Sequence, residues 1–298
     1  VRRESFRRTI RNGQTRSRML SLWAQDEMAA AELDDKRLNE RLTRIISDLG
    51  SRSTASIPAA CGGHAEMTAA YRFFDNDKVT WEKILEPHYE RTGQRIAGQD
   101  AVLLVQDTSE IDVTRPEVQV VGAGPLDGSA RFGAFLHLLE AFTPNGTPLG
   151  GVWSDIWARD EPEERPASKS DEDKRRQRRV TPIEEKESYR WLQGLRQARE
   201  LAQESSGVTC VCVGDSEADI YELFDEPRGD QNPVHLLVRA CHDRTLTQES
   251  DGSGQRISDA LLAAPVLFTH TISVRGRKAK VSCETRARRQ PRENRATE

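Results

Sequence analysis

Apolar positions in the first hundred residues recur at the spacing of α-helices. One apolar stripe predicts a helix over residues 22–49, a second helix is predicted over 59–74 with a break near Gly62, and a third over 79–96. The stripe of the first helix consists of Leu38, Leu42, Ile45, Ile46 and Leu49. Because Tyr71, Phe73 and Phe74 end the second helix, we expect a small helical domain built around an aromatic cluster.

From residue 101 onward the pattern changes to that of β-strands. Residues 101–106 are apolar on both faces, as in a central strand, and residues 132–143 and 148–158 flank an Asn-Gly pair that predicts a hairpin. Further strands are predicted over 208–214 and 234–240, followed by an alternating segment from Val266 to Val274 that leads to a returning strand near Val281.

The helix before the second central strand has a predicted start and a predicted buried face. Thr181, Pro182 and Glu184 have the spacing of a capping box. The expected buried stripe is Trp191, Leu192, Leu195, Ala198 and Ala202. A short helix is also predicted over 219–224, whereas the polar residues 160–179 indicate a linker or surface loop.

Two aspartates each follow one of the apolar strands. Asp107 comes after residues 101–106 and Asp215 after residues 208–214, so a parallel sheet would place both at its carboxyl edge. Two close carboxylates repel unless a cation lies between them, which suggests a magnesium site for phosphodiester chemistry. Asp219 would lie one helical turn further on and could approach the same site. The other interpretation is that Asp215 only caps the helix that follows it.

The charge distribution is uneven, although the net charge is only −4. Residues 1–20 carry seven arginines and one glutamate, and residues 270–298 carry nine lysines or arginines and three glutamates. Basic ends on an acidic body fit local contacts with phosphates, and solvated flexible tails are the alternative. Because no apolar run is long enough for a membrane span, we expect a soluble cytoplasmic protein that does not engage membranes.

Several side chains in the helical part could contact a DNA backbone. His64 follows Gly62-Gly63, a turn at a helix N-terminus where a phosphate could bind, and Arg37 and Arg41 alternate with the apolar stripe. A simple turn and a solvated helix face are the alternatives. In the strands, His137 is interpreted as a core histidine. Trp153 and Trp157 would lie on one face, for core packing or for base stacking.

Five cysteines show no regular spacing, and we find no Walker loop, nucleophile elbow, Cys/His zinc spacing or dinucleotide fingerprint. Cys210 and Cys212 alternate along a predicted strand, which favours small core residues over metal ligands.

Seven stretches of the chain, in order from about Leu22 to Arg289, resemble one family. They are Trp23–Met28, Ala31–Arg37, Ser56–Glu66, Ala70–Asn76, Val105–Ser109, Gly214–Tyr221 and Val238–Arg244. They are similar to bacterial DDE transposases of the insertion-sequence-four family, the "Tn-five"-like enzymes. The first four stretches resemble that family's DNA-binding domain, and the next two resemble its first and second catalytic aspartate motifs.

The resemblance implies a fold, an activity and partners. It implies an N-terminal all-α DNA-binding domain, then a mixed α/β core of the ribonuclease-H-like type with a partial antiparallel β insertion. Such enzymes use two Mg²⁺ or Mn²⁺ ions to cut transposon inverted-repeat ends and join them to target DNA, and they act as homodimers on the bacterial nucleoid. Asp107 and Asp215 would be catalytic metal ligands. Arg239 and His242 would lie near the scissile strand, and Arg244 in the same segment is a further candidate DNA contact.

The implied domain boundaries follow from the same matches. We expect a disordered basic tail over 1–21, a DNA-binding domain over 22–97, the first part of the catalytic core over 98–243, the β insertion over 244–285 and a second disordered basic tail over 286–298.

One departure from the family bears on activity. The family's third carboxylate is a glutamate in a Tyr-x-x-Arg-x-x-x-Glu setting on a late helix, and neither that segment nor the last core helix occurs here. We therefore expect a C-terminally truncated transposase with an incomplete two-ion site, inactive by itself. A DNA-binding or dominant-negative inhibitor fragment is the alternative. A third hypothesis is an unrelated metal-dependent nuclease that uses Asp107, Asp215 and Asp219.

Overall fold

The computed structural model describes residues 22–115, 117–118, 120–128, 130–160, 170, 172–173, 176, 180–227, 234–248, 254–269 and 271. The chain divides into two units, Val1–His242 and Asp243–Glu298. Both basic tails and the predicted strand near Val281 lie outside the described residues, as does most of the polar segment 160–179. Within the described part of the chain, no helix is long and apolar enough to cross a membrane.

The first unit begins with five helices. They are α1 (22–27), α2 (Lys36–Ser51), α3 (Ile57–Ala60), α4 (His64–Phe74) and α5 (Trp81–Ile96). The break between α3 and α4 at Gly62-Gly63 is confirmed.

The single helix predicted over residues 22–49 is wrong, because the chain turns between α1 and α2. Asp34 has a left-handed φ of 58°, and Asp35 is the N-cap of α2, where its side chain accepts a hydrogen bond from Arg37 N at 2.8 Å. A short acidic side chain that bonds its own backbone ends one helix and starts the next, which an apolar stripe alone does not reveal.

The expected aromatic cluster is also wrong. The core of the helical part is mainly aliphatic and contains Met28, Ala31, Leu33, Leu42, Ile45, Cys61, Ala70 and Phe73. Phe73 is 1% exposed, whereas Tyr71 and Phe74 are 48% and 44% exposed. Neighbouring helical positions lie about 100° apart, so these three residues cannot all face one core.

The described residues that follow in the first unit include a six-stranded mixed sheet. Its strands are β1 (Ala101–Asp112), β2 (Gly124–Pro125), β3 (Phe132–Phe142), β4 (Pro148–Trp157), β5 (Thr209–Gly214) and β6 (Val234–Val238). Strand β1 is central: β3 pairs antiparallel with one side of it and β5 parallel with the other. β4 and β2 continue beyond β3, and β6 lies parallel to β5. The β3–β4 hairpin and the central strands are as predicted.

Helix α6 (Tyr189–Glu204) packs on the sheet through the predicted stripe from Trp191 to Ala202, all of which is buried. The predicted capping box is wrong, because Pro182 precedes only a 3₁₀ turn (Ile183–Glu185). Lys186 then becomes extended, and Glu187 binds Arg159 and the Trp157 indole instead of continuing a helix. The short helix predicted over 219–224 is shifted: a 3₁₀ turn (Ser216–Ala218) precedes α7 (Tyr221–Asp225).

A buried ion network joins the helices to the sheet. Glu27 of α1 is 3% exposed and accepts two hydrogen bonds from Arg95 of α5, at 2.9 and 3.0 Å, while His88 lies 2.5 Å away. Arg95 also donates to Leu149 O of β4 at 2.6 Å. At Gly150, with φ at 134°, a Cβ would collide with Thr92 Oγ1, so only glycine allows this close approach.

The second unit contains strands β7 (Thr245–Gln248) and β8 (Gly254–Arg256) as an antiparallel pair, followed by helix α8 (Ile257–Ala263). No helix was predicted where α8 lies. Residues 265–269, where the alternating strand was expected to begin, have no regular secondary structure, and the rest of that predicted strand, apart from Thr271, lies outside the described residues.

Candidate functional site

Asp107 does not end a strand, contrary to the sequence pattern, because β1 continues through it to Asp112. The reason is that β1 has two neighbours: its pairing with β3 runs on past Asp107, whereas its pairing with β5 stops at Val105 and Val213. Asp107 therefore lies two residues beyond the last parallel pair, and so does Asp215 on the β5 side. The two aspartates occupy matching positions at the carboxyl edge of the parallel part of the sheet.

Asp215 both caps the following turn and faces the sheet edge. Its Oδ1 accepts a hydrogen bond from Glu217 N at 2.8 Å, and its Oδ2 accepts one from Arg239 Nη2 at 3.1 Å. Arg239 also donates to Ser216 Oγ at 3.1 Å. Arg239, a predicted DNA contact, thus lies beside the second predicted catalytic aspartate.

Glu217 is the acidic residue that sequence reasoning did not assign to the site. Partial burial raises its pKa, and the charges of Asp215, Asp107 and Asp127 raise it further. The carboxylates from β1, from the turn after β5 and from the loop before β3 therefore share one electrostatic environment. Glu217 belongs to the Gly-Asp-Ser-Glu motif, so the sequence held a signal for it, but no pattern pointed to Asp127.

A cavity of about 430 Å³ opens beside these carboxylates. Its lining combines acidic, aromatic and basic side chains, including Glu110, Asp127, Glu217, Trp157 and Arg159. Arg159 pairs with Glu187 at 2.6 Å and with Asp127 at 2.7 Å. Ion pairs therefore connect parts of the cavity lining, to which β1 contributes Thr108 and Glu110.

A buried line of polar side chains runs beneath this edge. His137 Nδ1 lies 2.7 Å from Thr108 Oγ1, its Nε2 lies 3.1 Å from Gln106 Oε1, and Gln106 donates to Cys212 Sγ at 3.0 Å. His137 is fully buried, and burial lowers its pKa to about 4, so it is neutral. The interpretation of His137 as a hydrogen-bonded core histidine is confirmed, and Cys210 and Cys212 are core residues.

Trp157 is engaged inside the protein rather than open for base stacking. Its ring stacks on Phe135 with centroids 5.4 Å apart, and the Arg190 guanidinium lies 3.5 Å from its centroid. Trp153 packs edge-on against His137 at 6.0 Å. Of the two interpretations of this tryptophan pair, the structure favours packing.

Asp219 is bound by the segment that follows β6, the strand parallel to β5. It is 4% exposed, and its Oδ2 accepts hydrogen bonds from Cys241 N at 2.7 Å and His242 N at 2.8 Å. The carboxylate of Asp219 is therefore occupied by backbone donors of that segment. His242, a predicted DNA contact, lies against Asp219 with 3.1 Å between Nδ1 and Oδ2.

The predicted DNA contacts of the helical part differ in their environment. Arg37 binds Asp35 at 3.0 Å, and Arg41 binds Glu66 at 2.6 Å, so both arginines are engaged in ion pairs. His64 is exposed in the first turn of α4, directly after Gly63. Arg244 lies in the second unit, where its carbonyl accepts a hydrogen bond from Ile257 N.

Comparison with known protein families finds one match in the helical part. Residues 21–79 match the transposase DNA-binding family. No curated protein matches the chain. The matched segment spans α1 to α4 and ends before α5. The match supports a transposase that binds DNA.

Proposed function

We propose that this chain is a DDE-type transposase that binds transposon ends through α1–α4 and carries a metal site at Asp107 and Asp215. The observation that supports it most strongly is the match of residues 21–79 to the transposase DNA-binding family. The resemblance to the insertion-sequence-four family supplies the finer assignment. Proposed partners are transposon-end and target DNA, with a homodimer as the working assembly.

The DNA-binding face is proposed to be the exposed side of α4. His64, Tyr71 and Arg72 are all exposed on this helix, which begins at the Gly62-Gly63 turn. Among the described residues, Arg72 forms no ion pair, so its charge is available to a phosphate. Arg37 and Arg41 of α2 already neutralise carboxylates. We therefore propose that the main phosphate contacts come from α4 rather than from α2. An arginine that already binds a carboxylate must break that ion pair before it can bind a phosphate.

The donor set at the sheet edge fits a hard divalent cation. Asp107, Asp215 and Glu217 offer carboxylate oxygens, which Mg²⁺ and Mn²⁺ prefer. Burial raises the pKa of Glu217, and the neighbouring charges of Asp215 and Asp107 raise it further. Asp107 and Asp215 would hold the ions, which supply Lewis-acid stabilisation of the reacting phosphate oxygens. Arg239 would orient the Asp215 carboxylate and offer a positive charge to the DNA strand.

The topology supports a ribonuclease-H-like core. Strands β4, β3, β1, β5 and β6 lie side by side in this order, and β2 pairs with the start of β3. The pairs β4–β3 and β3–β1 are antiparallel, whereas β1–β5 and β5–β6 are parallel. One proposed catalytic aspartate lies on the first strand and the other after β5, as the family plan requires. The proposed domain division remains 22–97 for DNA binding, 98–243 for the core and 244–285 for the β insertion.

Activity of the 298 residues alone is proposed to be limited to DNA binding. Of the three carboxylates in the resembled family's site, the motifs here supply two, and loss of one ligand weakens the clamp on one reacting oxygen. Purified chain should therefore retard end-containing duplex without cutting it efficiently. Mg²⁺-dependent cleavage that disappears in Asp107→Ala would contradict this expectation.

Selection from a random duplex pool tests the proposed DNA function. Purified chain should enrich one sequence, and that sequence should occur in inverted orientation on both flanks of its own gene. Arg72→Ala should weaken the enrichment, and Arg37→Ala should leave it unchanged. Enrichment of nothing above the starting pool would overturn the proposal of a sequence-specific DNA-binding region.

A further inference from the structure

We propose that Asp219, Cys241 and His242 form a binding site for a soft divalent cation such as Zn²⁺, with ligands other than Asp107, Asp215 and Glu217. The three ligand atoms, a carboxylate oxygen, the Cys241 Sγ and the His242 Nδ1, all lie within 4.8 Å of one another. Asp219 comes from the segment after β5, and the other two come from the segment after β6. The site was missed in the sequence because its ligands lie 22 and 23 residues apart.

The distances fit a single metal ion. His242 Nδ1 lies 3.1 Å from Asp219 Oδ2 and 3.1 Å from Cys241 Sγ. Ligands bound to one tetrahedral zinc ion at about 2.0–2.3 Å lie roughly 3–4 Å from each other. A proton on His242 Nδ1 would have to be shared between the Asp219 carboxylate and the Cys241 sulfur. One cation, in contrast, can bind the nitrogen, the oxygen and the sulfur at the same time.

The surroundings orient the ligands and leave access from solvent. Asp219 is buried, and its Oδ2 is held by Cys241 N at 2.7 Å and His242 N at 2.8 Å, as the supporting hydrogen bonds of metal sites typically are. Cys241 and His242 are exposed. An ion can therefore enter, and at least one coordination position would remain open to water or another ligand.

The chemistry of the ligands selects the cation. Thiolate and imidazole favour Zn²⁺ or Co²⁺, whereas Mg²⁺ prefers oxygen ligands. Binding transfers the Cys241 Sγ proton to solvent, so affinity should rise with pH as the thiol ionises. An ion here would join the two segments that follow β5 and β6, and the second segment also carries Arg239 beside Asp215. The site would thereby hold Arg239 in position.

Cobalt titration of the reduced full chain tests this site. One Co²⁺ per chain should produce a near-ultraviolet thiolate-to-metal charge-transfer band that Zn²⁺ removes and Mg²⁺ does not. Cys241→Ser should abolish the band and weaken Zn²⁺ binding by at least about tenfold, the lower bound for losing even a supporting group of a metal site. Because Cys241 is exposed, this variant should keep its circular dichroism spectrum and melting temperature.

Two matched variants make the result decisive. Cys283→Ser should keep the band, which excludes the cysteine of the C-terminal unit, and Asp215→Asn should keep it as well. Absence of a thiolate band in the unaltered chain would overturn the site and leave the three residues as a hydrogen-bonded cluster. Retention of the band in Cys241→Ser would overturn it too.

Discussion

The charges of the helical region and those of the sheet edge differ in how far they are already neutralised. In the helices, Arg37 binds Asp35, and Arg41 and Arg44 both bind Glu66. At the sheet edge, ion pairs among the described residues reach Asp215 through Arg239 and Asp127 through Arg159, but none reaches Asp107 or Glu217. The helical arginines are therefore already paired, whereas no ion pair among the described residues neutralises Asp107 or Glu217.

Glu27 gives the largest expected effect and tests the structural role of the paired charges. Glu27→Gln leaves Arg95 and His88 without their buried carboxylate, which should lower the free energy of unfolding by about 3–5 kcal/mol. The neighbouring Asp26→Asn, which removes an exposed partner of Arg91, should cost less than about 1 kcal/mol. Urea denaturation at about pH 7 measures both variants, and equal effects would contradict the comparison.

The contribution of Glu27 to stability should depend on pH in a defined direction. Burial raises its pKa, but the hydrogen bonds from Arg95 and His88 outweigh burial and leave the pKa lowered from 4.5. Its stabilisation is therefore present above the unfolded-state pKa and is lost as pH falls through the folded-state value. Glu27→Gln should lose this acid-dependent part of the stability, so its curve should be flatter than that of the unaltered chain below pH 4.5.

His137 tests the buried line beneath the sheet edge. Burial lowers its pKa from 6.5 to about 4, so the unfolded chain binds a proton in this window and the folded chain does not. Stability should rise with pH between these two pKa values by about 3 kcal/mol, because a tenfold change in proton affinity corresponds to about 1.4 kcal/mol. His137→Gln should remove that rise. The exposed His235→Gln should retain it, and a rise that survives in His137→Gln would show that another group causes it.

Arg72 and Arg37 test which helical cations face DNA. Loss of one phosphate contact lowers the slope of log affinity against log salt by about one. Arg72→Ala should show this change, whereas Arg37→Ala should bind as the unaltered chain does, because Arg37 is paired with Asp35. Fluorescence anisotropy across a salt series measures both slopes. A lower slope in Arg37→Ala and an unchanged slope in Arg72→Ala would show that α2, not α4, contacts the phosphates.

Glu217 gives the smallest expected effect and tests the crowding of charge at the edge. Asp215→Asn should lower the pKa of Glu217 because it removes a neighbouring negative charge. The change in stability should stay within about 0.5 kcal/mol, as for other surface substitutions. Carboxyl-detected NMR titration of Glu217 reports the change in its pKa. An unchanged pKa of Glu217 in Asp215→Asn would show that the charge of Asp215 does not act on Glu217.

Strands and helices were predictable where a local sequence pattern defines them. The partners of the charged side chains were not predictable. The Asn-Gly turn predicted the hairpin of β3 and β4, and the predicted buried stripe of α6 was correct. The turn at Asp34 was not predicted, because the apolar stripe that indicated the helix begins only at Leu38 and carries no information on the left-handed backbone before it. Glu27 could not be predicted either, since its partners His88 and Arg95 lie 61 and 68 residues away.

The candidate site shows the same limit. The shared edge position of Asp107 and Asp215 was predictable because each follows an apolar run. The partners of Asp219 were not predictable, because the backbone groups that bind it come from the segment after β6, 22 and 23 residues further along the chain. Residue spacing indicates which groups can share an edge, but the final position of a buried carboxylate depends on donors that only the folded chain brings near.

Calorimetric titration of Mg²⁺ into the purified chain tests the central claim most directly. If the uncompensated carboxylates of the sheet edge form a cation site, the unaltered chain should bind Mg²⁺, and Asp107→Asn and Asp215→Asn should each lose that binding while keeping their melting temperatures. Cys241→Ser should bind Mg²⁺ as the unaltered chain does. Equal Mg²⁺ binding by Asp107→Asn and the unaltered chain would contradict the account.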